Sequence, residues 1–536
     1  MVDPPQYRHQ FENFRATLVF TRLRDTELEI GLMTNTEILT RREAILAAGV
    51  TAGIMIAPWR SSASLASDPG SDAEPEEAFK HRGYYTIMTR YPTAGLDVWK
   101  HIVDCMHEDG CNLLVYWLTG GFRSKKYPET WQHNQDHVNI REDFTKELID
   151  YAHAKQIRVV LGFTPFGYDG VNLHTKLHPE LIAVGKDGKS TPEFGIFCWG
   201  HSLCPAQPKS QEFMLEYIRE MYFDFYPNAD GLFIESSDYS TCHCSECSKN
   251  QGSGHFDNEF KFVKTISEDV WRFKSDATII VYPHYFSGDS VPVDGDKAVA
   301  TKQSFDDRWT LFFTPHSTKI NQTLIDSVPN SIYWDESLIF ATPEKVKNSA
   351  QTAKARRFNG YVPSLEAYSY VPLRTEHDGE GWLVNRRQIP FGIGWIPPDQ
   401  SPYGTLPIRV SRIAFREFSK DPELSMDAFR KVLGIEIFGE RNNQALVDDL
   451  MSLQSYQTRE RGWCLPSPIL EPRRVAWFAS HGTLDLNRKK EFANAVRNLK
   501  RMADVYCNQT GTIGELGRNA RWIVDQWTEE FAGLLE

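Results

Sequence analysis

The chain has 536 residues, of which 41% are hydrophobic and 24% charged, and its formal net charge is -12. This is an ordinary globular composition with room for a large core and a second module, and it excludes a small scaffold held together by covalent staples. The acidic balance argues against nucleic acid or an anionic membrane surface as partner, because either would call for a basic patch.

The first segment reads as an address. Thr40-Arg41-Arg42-Glu43 precedes an apolar run from Ala44 to Ala57, followed by Pro58 and the small-residue stretch SSASLAS. Basic, apolar and small in that order make an export signal, and the arginine pair resembles a twin-arginine signal. The run is short for a bilayer span; a buried helix or a retained anchor is the competing reading. Cleavage is expected near Ala66, and Met33 is an alternative start that would give a compact basic region. Residues 67–80 read as an acidic linker, so 1–80 form leader plus linker. No later segment is a membrane-span candidate, and the expected destination is periplasmic or extracellular.

From Gly83 the chain alternates short β-like runs with amphipathic helical stretches, the pattern of β/α units building a parallel sheet. Strand candidates begin at Tyr84, Asn112, Ile157, Asp230, Ala277, Trp309, Ser331 and Gly360, eight in all. Helical stretches lie between them; in one, Phe144, Leu148, Ile149 and Ala152 recur at helical spacing with charges opposite. The first, fourth and fifth units lack a glycine-rich phosphate fingerprint, which favours a (β/α)8 barrel over a dinucleotide-binding sheet. The barrel is assigned to 81–404. From about Thr405 only helical patterns remain, giving a C-terminal all-α module, 405–536.

Insertions fall after strands two, three and eight, the last containing Trp382 and Trp395. They imply a walled cleft on the face where barrels carry their sites, with aromatic rings able to stack on sugars or simply to pack. Residues at the predicted strand ends are polar: Tyr116 and Trp117 on strand two, Glu235 on strand four, with Asp238 just beyond, His284 on five, His316 on six, Asp335 and Glu336 on seven, Glu366 and Tyr368 on eight, with Thr164 closing strand three without an assigned role. Glycosidic cleavage needs two carboxyl groups flanking the anomeric carbon, and strands four and seven face each other across a barrel. Glu235 follows the apolar Leu232-Phe233-Ile234, surroundings that favour the protonated form a general acid needs, which leaves Glu336 as nucleophile and Glu366 in reserve. The others are assigned to substrate binding, and no cofactor is required for catalysis.

This arrangement resembles the retaining glycoside hydrolases of clan A, whose acid and nucleophile occupy the ends of strands four and seven. Here Ile234 stands where that clan usually has Asn. A barrel followed by helices also resembles the hexosaminidase and α-glucuronidase group. In its family 20 members an Asp-Glu pair closes strand four, whereas here Asp335-Glu336 lies on strand seven, so substrate assistance is not carried over. The resemblance implies a carbohydrate substrate and a hydrolase of poly- or oligosaccharides. Two other classes stay open: a non-catalytic carbohydrate-binding barrel, and a metal-dependent barrel hydrolase using His284 or His316 with a carboxylate.

Of nine cysteines, Cys242, Cys244 and Cys247 form a C-x-C-x-x-C set after strand four. They read as a structural zinc site, needing a fourth ligand from elsewhere, or as disulfide or free thiols. Cys105/Cys111 and Cys198/Cys204 are close enough in sequence to pair. The leader assignment has a direct check: an Arg41→Lys, Arg42→Lys double variant should accumulate as cytoplasmic precursor on fractionation, and normal export of that variant would remove it.

Overall fold

The computed structural model describes residues 78–86, 95–118, 121–132, 135, 138–167, 171–189, 201–235, 242–249, 254–282, 305–313, 322–326, 328–334, 341–364, 370–374, 382–388, 406–455 and 486–531. Residues 1–77, which hold the expected leader and most of the expected linker, lie outside them, as do Cys198 and Trp395.

Each predicted apolar run that could be buried on both faces forms a strand, and all eight are parallel. β1 (His81–Thr86), β2 (Leu113–Trp117), β3 (Arg158–Phe163), β4 (Gly231–Glu235), β5 (Thr278–Tyr282), β6 (Thr310–Phe313), β7 (Asn330–Tyr333) and β8 (Gly360–Tyr361) pair in sequence order, and β8 closes onto β1. The fold is a (β/α)8 barrel. β1 starts before the predicted Tyr84, because His81 and Arg82 are buried strand residues despite their polarity.

Helices α1 (Leu96–Glu108), α2 (Val138–Glu142), α3 (Thr145–Ala154), α4 (Pro208–Arg219), α5 (Gly254–Phe273), α6 (Gln322–Ile325) and α7 (Pro343–Ala355) fill the connections. α1 shows how the sequence specifies them. Trp99, Ile102, Val103, Cys105 and Met106 recur on the stripe that packs on the sheet, and Gly110, at φ 69°, takes the left-handed turn that ends the helix. α7 starts on Thr342, whose hydroxyl accepts from the Lys345 amide at 3.2 Å, with Pro343 in the first turn. An antiparallel pair, β9 (Tyr370–Arg374) and β10 (Trp382–Gln388), follows the barrel strands.

The C-terminal region is helical: α8 (Leu406–Lys420), α9 (Met426–Phe438), α10 (Gln444–Ser455), α11 (Leu486–Tyr506) and α12 (Gly511–Phe531). α8 has no counterpart among the helices read from the sequence. It packs against α7, and its Phe415 ring lies 5.2 Å from Tyr84 of β1 and 5.4 Å from Tyr361 of β8. That is the position of the barrel's eighth helix, so the last layer of the barrel is drawn from beyond residue 404.

α8 is bound there by a buried ion pair. Arg412, 5% exposed, donates from Nε to Asp109 Oδ2 at 2.8 Å and from Nη2 to Oδ1 at 3.1 Å, while Tyr84 Oη donates to the same carboxylate at 2.6 Å. Burial pushes the Asp109 carboxyl above its usual range, and the guanidinium and the phenol pull it back. Removing one member of such a pair typically costs about 3–5 kcal/mol, because the other charge stays buried.

At the other end of β1 the buried His81 ring accepts from Arg158 Nη2 at 3.0 Å. Burial first, then the Arg158 and Lys80 charges, lower its pKa from 6.5 to about 4. The unfolded chain therefore takes up this proton first, so the stabilisation is complete above pH 6.5 and is lost as pH falls toward 4, by at most about 3 kcal/mol. Urea unfolding of the parent should lose stability across that window, and His81→Asn should flatten the loss; equal pH slopes would clear His81 of any part in it.

Candidate active site

Strand side chains alternate, so the residues two apart on each strand fill the barrel. Toward the N-terminal side the filling includes the aliphatic Leu113, Val115, Val160 and Ile280. Toward the strand C-termini it is aromatic: Tyr85, Trp117, Phe233, Tyr282, Phe312 and Trp334. Tyr85 is the hub, with ring centroids 5.2 Å from Phe233, 5.5 Å from Phe312, 5.7 Å from Trp334 and 6.3 Å from Trp117. These separations suit tilted and edge-on aromatic packing.

Glu235 stands on this floor. It is the last residue of β4, alternates inward with Phe233, and is 5% exposed. Tyr85 Oη donates to Glu235 Oε2 at 3.2 Å, tying the carboxyl to the hub ring. Trp117 can lie across the adjacent strand only because residue 162 is glycine: a Cβ there would sit 2.9 Å from the Trp117 indole. Among the described residues, Trp117 Nε1, Thr164 Oγ1 and Ser364 Oγ are buried without a hydrogen-bond partner. All three occupy inward positions at the ends of β2, β3 and β8, where a polyhydroxylated ligand could satisfy them.

The two candidates on β2 separate. Trp117 belongs to the barrel filling, whereas Tyr116 points outward, edge-on to Trp99 of α1 at 4.7 Å with its hydroxyl beside Thr145. Tyr116 is thus a sheet-to-helix packing residue, placed away from the mouth by strand alternation. Asp238, His284, His316, Asp335, Glu336, Glu366 and Tyr368 lie outside the described residues. Thr164 closes strand three as read from the sequence, whereas Tyr85 and Ser364 are candidate site residues the sequence reading did not name; inward alternation from Glu235 and its partner strands was the signal for them.

Loops on this face are fastened by buried polar contacts. A single π turn, Glu220–Phe225, continues α4, and the Glu220 carboxylate accepts from Ser124 Oγ at 2.6 Å and the Lys125 amide at 2.8 Å. This fixes the loop after β2 to the helix after β3. His174 Nδ1 meets Glu129 Oε1 at 2.6 Å, and its ring stacks on Phe213 at 3.7 Å. The imidazole holds the Glu129 carboxyl below its usual range despite partial burial, which works the other way.

The loop after β4 carries Cys242, Cys244 and Cys247, and Cys204 from the loop after β3 joins them. Their four sulfurs lie within 4.8 Å of one another. Cys105, Cys111 and Cys204 are free thiols, so Cys105 and Cys111 are not joined as a disulfide, and the other suggested partner, Cys198, lies outside the described residues.

No protein-family model matches the chain, and no curated protein matches it in sequence. Among solved structures it is similar to a GH138 enzyme targeting pectin rhamnogalacturonan II, at 10% identity and TM-score 0.49, over 86% of this chain and 58% of that one. The chain thus spans little more than half the length of that enzyme. It is also similar to an O-GlcNAc hydrolase mutant of Thermobaculum terrenum, at 12% identity and TM-score 0.46, over 85% and 86% of the two chains. A β-N-acetylhexosaminidase from Bacteroides fragilis follows at 14% identity and TM-score 0.44, over 68% and 71%. The chemistry is therefore argued from this chain's own residues.

The ring floor predicts its own sensitivity. Gly162→Ala should force the Trp117 indole aside and lower stability by about 1–3 kcal/mol, with a changed near-ultraviolet dichroism. Unchanged thermal unfolding and dichroism would show that the two residues are not in contact.

Proposed function

We propose that the chain is a glycoside hydrolase acting on poly- or oligosaccharides at the C-terminal mouth of its barrel, with Glu235 as general acid. The observation that carries this reading is a single carboxyl group at the end of β4, set on a floor of aromatic rings and bordered by unsatisfied polar atoms. The buried rings hold the carboxyl at a fixed height, and the hydroxyl-bonding atoms beside it can fix the orientation of a sugar. The Tyr85 hydroxyl orients the Glu235 carboxyl, which in this scheme must carry its proton when the substrate binds.

In the proposed reaction Glu235 gives its proton to the leaving glycosidic oxygen. Glu336, two residues past the inward-facing Trp334, attacks the anomeric carbon. Glu235 then takes a proton from the water that releases the sugar, so configuration is retained. Asp238, His284, His316, Asp335, Glu366 and Tyr368 are proposed to bind the substrate with Trp117. Catalysis in this scheme uses no cofactor. Export by the twin-arginine-like leader would bring the enzyme to extracytoplasmic polysaccharide.

The test is a screen of the purified protein against aryl glycosides and plant, algal and host polysaccharides, followed by variants on the best substrate. Glu235→Gln and Glu336→Gln should each lower turnover by about 10²–10⁴, while Glu366→Gln mainly weakens binding. Proton NMR of the first-formed product should show the retained anomer. Tight sugar binding with no turnover in the parent protein would make it a carbohydrate-binding barrel instead, and full activity in Glu235→Gln would remove the acid.

A further inference from the structure

The cysteine cluster lies outside the chemistry of the mouth and has a geometry of its own. Cys204 Sγ is 3.8 Å from Cys244 Sγ and 3.7 Å from Cys247 Sγ. A disulfide would bring a pair to about 2.05 Å. Four sulfurs placed tetrahedrally about 2.3 Å from a central zinc ion stand about 3.8 Å apart. Cys204, Cys242 and Cys247 are each 1% exposed, and small apolar neighbours, Ala183, Val184 and Ala206, pack around the group. Nothing in the described surroundings competes as a covalent partner for any of the four, because all are free thiols.

The backbone is arranged for charged sulfur. The Val184 amide donates to Cys242 Sγ at 3.3 Å, as amides do to metal-bound thiolates. The loops bearing the ligands are laced beside the cluster, with the His243 amide donating to the Val184 carbonyl at 2.6 Å. His255 is the nearest alternative ligand, but its Nδ1 accepts the Cys242 amide at 3.1 Å and its Nε2 faces Glu259 at 3.9 Å. The ring therefore supports the cluster from behind.

We propose that Cys204, Cys242, Cys244 and Cys247 bind one zinc ion in a closed, structural four-cysteine site that joins the loop after β3 to the loop after β4. Each thiol loses its proton to solvent as the ion binds, and all four positions of the tetrahedron are filled by protein, so no water or substrate reaches the metal. The ion bolts down the β4 loop a few residues beyond Glu235. Cys204 is the ligand missing from the local C-x-C-x-x-C set, supplied 40 residues before Cys244.

The full chain, purified without added metal or chelator, should carry one zinc per chain by inductively coupled plasma mass spectrometry. That zinc should be released stoichiometrically when a mercurial titrates the thiols. Cys204→Ser and Cys242→Ser should each lower retained zinc about tenfold or more after dialysis against EDTA. Cys105→Ser and Cys507→Ser, outside the cluster, should keep it. Should the ligand variants fail to fold, the parent chain loaded with Co²⁺ decides, with strong tetrahedral d–d bands and sulfur-to-cobalt charge transfer expected. A parent chain that holds no stoichiometric metal with its thiols reduced, an intact mass showing disulfides among these cysteines, or an octahedral cobalt spectrum would overturn the site. Iron in place of zinc would overturn the identity of the ion. Metal content is read without any substrate, so it stands or falls apart from glycosidase activity.

Discussion

An eight-stranded barrel encloses just enough space for its own side chains, and how that space is filled fixes the height and character of everything above it. Here the half nearest the strand C-termini is filled with aromatic rings gathered around Tyr85. Rings of this size leave no slack, so Gly162 must be small where Trp117 crosses it. The filling ends in tilted, closely packed rings, and Glu235 is the carboxyl group set at its edge. The same tyrosine that packs the core also hydrogen-bonds the carboxyl, so the position of Glu235 is inherited directly from core packing.

Around that floor the described parts of the loops bury apolar side chains such as Phe122, Phe166, Val171 and Leu203, and they are also held by polar fastenings at specific points. Glu220 gathers the hydroxyl and amides of the loop after β2, His174 and Glu129 join that loop to the next, and the four cysteines join the next to the one after β4. Each fastening links neighbouring β/α units. The wall of the mouth is thereby built by adjacent pairs, and a change at one fastening should be felt mainly by the two loops it joins.

Much of the architecture was legible because parallel barrel strands, buried on both faces, leave short apolar runs ending in polar residues. Glu235 was found that way. What the runs do not reveal is which of two consecutive end residues turns inward; Tyr116 and Trp117 looked equivalent, and only the register with β3 separates them. α8 was missed because Pro407 and the arginines at 412 and 416 interrupt its apolar pattern, yet proline is tolerated in a first helical turn and Arg412 is buried by its partner. Cys204 could not be recognised as a member of the cluster, since spacing motifs capture only the cysteines that share a loop.

The Asp109–Arg412 pair also bears on the order in which the chain can be completed. Its members are 303 residues apart, and the carboxylate sits at the end of the first barrel helix. On a ribosome, all eight strands emerge before the residue that neutralises Asp109. Until then a nascent barrel must leave that corner hydrated, its Tyr84 and Tyr361 faces uncovered by Phe415. A partly made chain is therefore kept from sealing itself prematurely. The packing of the barrel at this corner is thus completed only once α8 has been made.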